Sequence, residues 1–123
     1  MKRIVGGMAA GIAAFVVVLG TMEFIAHQLA PRAGSGTMLA IVAAAYFLSA
    51  FVGGYLAARI SGRSWTAWAI AALVAAGAIW SLFQFAHPLW MQIASVAAPL
   101  LGGALAARLA PVQAAAATRR DGA

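Results

Sequence analysis

Acidic residues are almost missing from this 123-residue chain: Glu23 and Asp121 are the only two. One falls in an apolar run and the other in the tail, so no paired carboxylates for catalysis are present. Cysteine is absent, which excludes disulfides, thiolate metal sites and cysteine nucleophiles. Charge of either sign is scarce, at 8% of residues, against about 25% in a soluble domain. Hydrophobic residues make up 65%. Such a chain cannot cover itself with polar surface, so the lipid bilayer is its expected partner. Its length allows one domain at most. The net charge of +6 could suggest nucleic acid. The basic residues instead cluster at the ends of apolar runs, a membrane-orientation pattern. No run of like charge is long enough for a nucleic-acid arm, and no nucleic-acid partner is expected.

What is present is four long apolar runs. Pro and Gly mark the gaps at "APRAGSGT" (30–37), "RISGRS" (59–64) and "AHP" (86–88), as turns require. The runs between them cover about 5–29, 38–58, 65–86 and 89–110. Each has about the 20 residues that a helix needs to cross the hydrocarbon core. Backbone groups in lipid must be satisfied internally, so runs this long are helices and not barrel strands. Short connections make neighbours antiparallel. The predicted fold is all-α: a four-transmembrane-helix up-and-down bundle over 1–110. A disordered tail is expected at 111–123.

Lys2, Arg3, Arg59, Arg63, Arg108, Arg119 and Arg120 fall on one side of the membrane in this topology, and Arg32 alone on the other. The positive-inside rule then puts both termini and the tail in the cytoplasm. "MKR" before an apolar run also resembles a signal peptide. The run exceeds the 7–15 residues of a typical signal core and contains a Glu, so it is read as a span.

The chain carries an internal echo. "GGYLAAR" (53–59) ends the second run and "GGALAAR" (102–108) ends the fourth, with six of seven positions the same. "FIAHQL" (24–29) echoes "QFAHPL" (84–89) more weakly. This suggests two tandem helix hairpins related by an axis along the membrane normal. Gly54 with Ala58, Gly103 with Ala107, and Gly7 with Gly11 show small-xxx-small spacing, beside Gly53 and Gly102. Small residues let helices approach closely in lipid. They point to packing within the bundle, and a homo-oligomer interface is the open alternative. Arg59 and Arg108 are expected to snorkel at helix C-termini. Trp65, Trp68 and Trp90 fit an interfacial belt. Trp80 is deeper and is expected to pack inside or face a cavity. Pro99 should kink the fourth helix.

The side chains able to carry chemistry gather at one level. Glu23 lies about 9 Å inside the outer end of the first run. A charged group at the centre of a span costs about 2.5–3.5 kcal/mol, so Glu23 is expected to face the interior, paired or protonated. His27 follows at i+4 on the same face. The third run brings Gln84 and His87 to the same outer level, and Met22, Met38, Met91 and Gln92 lie near it. The inner two-thirds read as Ala, Val, Leu, Ile and Gly.

Three readings compete for this cluster. Glu23, His27, His87 and Gln84 could titrate or bind a cation during transport. Alternatively, His27, His87 and Glu23 with Met22 and Met91 could hold a transition metal such as copper or zinc. Methionines are also core fillers, and no cofactor is predicted outright. The third reading is a structural clasp between helices. No Ser-His-Asp set or phosphate-cradling loop is present, so an enzyme is not expected.

Three features together resemble a widespread family of small four-span bacterial inner-membrane proteins of unestablished function. They are Glu23-x-x-x-His27 followed by Pro31, the Gly-Gly-x-x-Ala-Ala-Arg end at Gly53 to Arg59, and His87-Pro88-Leu89-Trp90. The resemblance implies the bacterial cytoplasmic membrane and makes Glu23, His27 and His87 the candidate residues. It implies no reaction and no ligand.

Overall fold

A straight helix of 60 residues would be about 90 Å long. Helix α1 covers Lys2–Ser61, with α2 at Trp65–Gln84 and α3 at Leu89–Leu109. In the computed structural model, however, the two ends of α1 touch. A Cβ built on Gly7 would stand 2.7 Å from the Ala57 carbonyl oxygen, and one on Gly11 would stand 2.7 Å from that of Gly53. The chain therefore doubles back between Gln28 and Leu39, and the two arms of α1 lie antiparallel. The structure describes residues 2–84 and 89–110, and of residues 29–35, 37 and 38 it describes the backbone alone. All regular structure among the described residues is helical.

Four stretches are long and apolar enough to span a membrane. They are span one (Lys2–Gln28), span two (Leu39–Ser61), span three (Trp65–Gln84) and span four (Leu89–Leu109). The protein is thus an integral membrane four-helix bundle. The sequence-based expectation of a break at 30–37 needs correcting in form. Helical backbone is recorded through it, and the chain still reverses between Gln28 and Leu39. Open backbone groups are costly beside lipid, which favours continuing the helix up to the reversal.

The second connection is built differently. Gly62 takes φ 71°, the left-handed conformation that commonly ends a helix, and its N–H donates to the Ala58 carbonyl at 2.9 Å. The Ser61 and Thr66 hydroxyls lie 3.0 Å apart, and Thr66 Oγ1 donates to the Arg63 carbonyl at 2.7 Å. The Arg63 N–H donates to Ser61 Oγ at 3.2 Å. These bonds lock spans two and three into a tight antiparallel pair.

The core is mostly alanine. Ala50, Ala57, Ala67, Ala71 and Ala106 are fully buried, with Ile70 and Met91 the largest fully buried side chains among the described residues. Glycines bring the backbones together between them. Gly53 meets Gly11 and Phe15 of span one, and Gly54 meets Ala67 and Ala106. Gly102 stands against Phe47, Ala50 and Phe51 of span two, and Gly103 against Ala67 and Ala71 of span three. The repeat is therefore not a two-fold at these contacts. Under such symmetry Gly102 would meet span three, as Gly53 meets span one. Along span two, Phe47 stacks on Phe51 with ring centroids 6.4 Å apart, and Tyr55 continues the row.

Trp80 departs from the sequence-based expectation and is 68% exposed. The inward face of span three is taken by Ala67, Ile70, Ala71, Val74 and Ala78. Trp80 lies two residues beyond Ala78, on the opposite side of the helix. Pro99 is buried within α3.

Candidate functional site

Span one presents Leu19, Met22 and Ala26 toward the other helices, half-buried or buried. Glu23 and His27 each follow an inward residue by one position, about 100° further round the helix. Both side chains are exposed, contrary to the expectation that Glu23 faces the interior. The inward register of span one, fixed by Gly7 and Gly11 against span two, places residues 22 and 26 in the interface instead. Glu23 sits about 7–8 Å from the Gln28 end of its span.

The residue brought to Glu23 from span two is Tyr46, which is buried at 6% exposure. The Tyr46 side chain is hydrogen-bonded to that of Ser81 on span three, and Glu23 is close enough to act on it electrostatically. Spans two and three thus meet through a polar contact at the level of Glu23. Sequence reasoning missed Tyr46 and Ser81. The signal for Tyr46 was available, since antiparallel arms bring it level with Glu23. Deeper polar groups were missed as well. Ser49 is buried and donates to the Tyr46 carbonyl at 3.2 Å, and Ser95 donates to the Met91 carbonyl at 2.7 Å. Among the described residues no buried side-chain nitrogen or oxygen lacks a partner.

Compared with protein families, curated proteins and solved structures, the chain matches none.

The remaining candidates separate. Gln84 is exposed at the end of span three, and Met22 is half-buried. Met91 is fully buried, where it belongs to the same apolar cluster as Tyr46 and Ile70. His87 lies outside the described residues. Among the described residues no three of His, Asp and Glu stand together as a metal site. At the opposite end of the bundle Lys2, Arg3, Arg59, Arg63 and Arg108 are all exposed. Arg59 and Arg108 occupy the last turns of their helices, where a cation suits the helix dipole. Trp65 and Trp90 are exposed at the starts of spans three and four.

Proposed function

We propose that the protein is a structural or accessory subunit of the bacterial cytoplasmic membrane, with its basic end and both termini on the cytoplasmic side. Its polar cluster then faces outward and holds the bundle together. The observation that carries this reading is the Tyr46–Ser81 side-chain hydrogen bond, which links spans two and three. The buried hydroxyls further in support it, because Ser49 and Ser95 bond to carbonyls of their own helices. The basic residues gathered at one end of the bundle support the orientation. The test compares Tyr46→Phe, Glu23→Gln and wild type for folded yield and unfolding midpoint in detergent. A clasp between spans two and three predicts a lower midpoint for Tyr46→Phe and the wild-type midpoint for Glu23→Gln, whose side chain is exposed. An unchanged midpoint for Tyr46→Phe refutes it.

A second reading is proton- or cation-linked transport of a small solute at Glu23, His27, His87 and Gln84. The place of Glu23, His27 and Gln84 near the same ends of spans one and three favours it, because titratable and polar groups then share one level. Reconstituted vesicles carrying an internal pH dye test it. Ion-dependent proton flux that Glu23→Gln abolishes, at unchanged folded yield, supports transport. Flux equal to that of empty vesicles rules it out.

A further inference from the structure

Span one has two faces, and only one of them is used inside the bundle. Just 11% of its most apolar stretch is buried, against 33%, 39% and 33% in the other spans. On its outward side Ala9, Ala13, Val16, Gly20, Glu23 and His27 are all exposed. Their spacing alternates four and three residues, the 3.5-residue period that lines up a seam for a second helix in a left-handed pair. A Cβ placed on Gly20 would meet nothing within 4 Å, so a backbone can approach there. Small residues alone do not identify what approaches. The two polar residues do.

Glu23 and His27 place an acid and a base on a surface that otherwise faces lipid, where uncovered ionisable groups are costly. A partner that covers them well brings a base within reach of Glu23 and an acid within reach of His27. A second copy of this chain does so. In a parallel two-fold pair each contact occurs twice, residue i on j and j on i. Glu23 of one copy and His27 of the other then differ in height by four residues, about 6 Å, which the two side chains bridge. Glu23 is level with Glu23 and His27 with His27 in such a pair, so each carboxylate reaches the other copy's imidazole diagonally, and Gly20 lets the helices close just below them. We infer that this protein forms a parallel homodimer through the outward face of span one, sealed by two reciprocal Glu23–His27 pairs. The inference goes beyond the clasp at Tyr46 and Ser81, which lies within one copy.

Copies carrying donor and acceptor dyes, reconstituted into liposomes at increasing dilution, test it by energy transfer. Wild type is expected to keep its transfer on dilution. The Glu23→His copy has only bases on this face, and the His27→Glu copy only acids. Each alone is expected to dimerise at least tenfold more weakly. An equimolar mixture of the two should recover transfer between unlike copies. Neither variant retains an acid–base pair within its own helix, so recovery can come only from pairing between chains. Gly20→Leu is expected to abolish transfer without lowering the unfolding midpoint, since a Cβ there meets nothing within 4 Å and leucine is the better helix former. Transfer that vanishes on dilution of wild type, or a mixture no better than its components, overturns the inference and leaves this face to lipid or to a different protein. Transfer that survives Gly20→Leu overturns it too, by placing the interface elsewhere.

Discussion

Replacing Gly53 by Ala tests the closest approach of spans one and two. The added Cβ would stand 2.7 Å from the Gly11 carbonyl oxygen, 3.0 Å from Phe15 Cβ and 3.1 Å from Ile70 Cγ2. Ordinary contact begins near 3.4 Å, so the helices must part by about 0.7 Å at this point. A gap of that size forfeits a quarter to a half of the attraction at each affected contact. Overpacking of this kind costs about 1–3 kcal/mol. Alanine recovers about 0.8–1.0 kcal/mol through its higher helix propensity. The net expectation is a loss of about 0–2 kcal/mol.

Gly77→Ala is the matched control. A Cβ there meets nothing within 4 Å, so only the propensity gain of about 1 kcal/mol remains. The two variants should therefore differ by about 1–3 kcal/mol. Reversible unfolding in mixed micelles, titrated with a denaturing detergent and followed by tryptophan fluorescence, measures this difference. Gly11→Ala probes the same contact from the other side. Because the helices need to part only once, the double variant should lose less than the sum of the singles. Equal midpoints for Gly53→Ala and Gly77→Ala, or strict additivity of Gly11→Ala with Gly53→Ala, would refute this packing.

Other perturbations address other parts of the bundle. Gly62→Ala forces a side chain into the left-handed conformation at φ 71° and should cost about 1–2 kcal/mol in the same unfolding assay. A double-mutant cycle of Tyr46→Phe with Ser81→Ala should give a coupling of about 0.6 kcal/mol, the average for interhelical hydrogen bonds in a membrane protein. Met91→Ala empties the space of a fully buried side chain and should cost about 2 kcal/mol. That is the low end of the range for such truncations, because the unfolded chain in lipid is also in apolar surroundings. The four single-variant midpoints and the one cycle can be measured in one series, with Gly77→Ala as reference.

The spans were legible because lipid imposes a simple rule: about twenty apolar residues, bounded by Gly, Pro and charge. The turn at Gly62 obeys that rule, since its glycine, serines and arginine supply every bond it needs. The region around 30–37 carries similar signals, yet helical backbone runs up to the reversal. Composition marks where a chain must reverse, but not whether it does so by a loop or by a bent helix. The side-chain level of Glu23 was legible for the same reason as the spans, because topology fixes depth. Its direction was not. A 3.6-residue period cannot say which stripe faces inward when Ala, Gly and Val occupy every side of span one. That choice was made by Gly7 and Gly11, whose missing side chains admit the backbone of span two. Tyr46 was overlooked because a lone tyrosine among apolar residues reads as core until Ser81 is found opposite its hydroxyl.

The direction of Glu23 follows from the way this bundle is held together. Helices in lipid gain nothing from leaving water, so association rests on contact and on polar bonds. Closest contact needs glycine and alanine, and span one spends them on its inner face against Gly53 and Ala57. That register leaves Met22 and Ala26 inward at the far end and turns Glu23 and His27 toward the edge. Moving Glu23 inward would require turning span one by about 100°, which would carry Gly7 and Gly11 out of the interface and put Met8 and Ile12 in their place. Those side chains cannot fit where even a Cβ would stand 2.7 Å from a carbonyl oxygen. The exposure of the carboxylate is therefore a consequence of the glycine contacts some twenty Å away along the same helix, by a rise of 1.5 Å per residue.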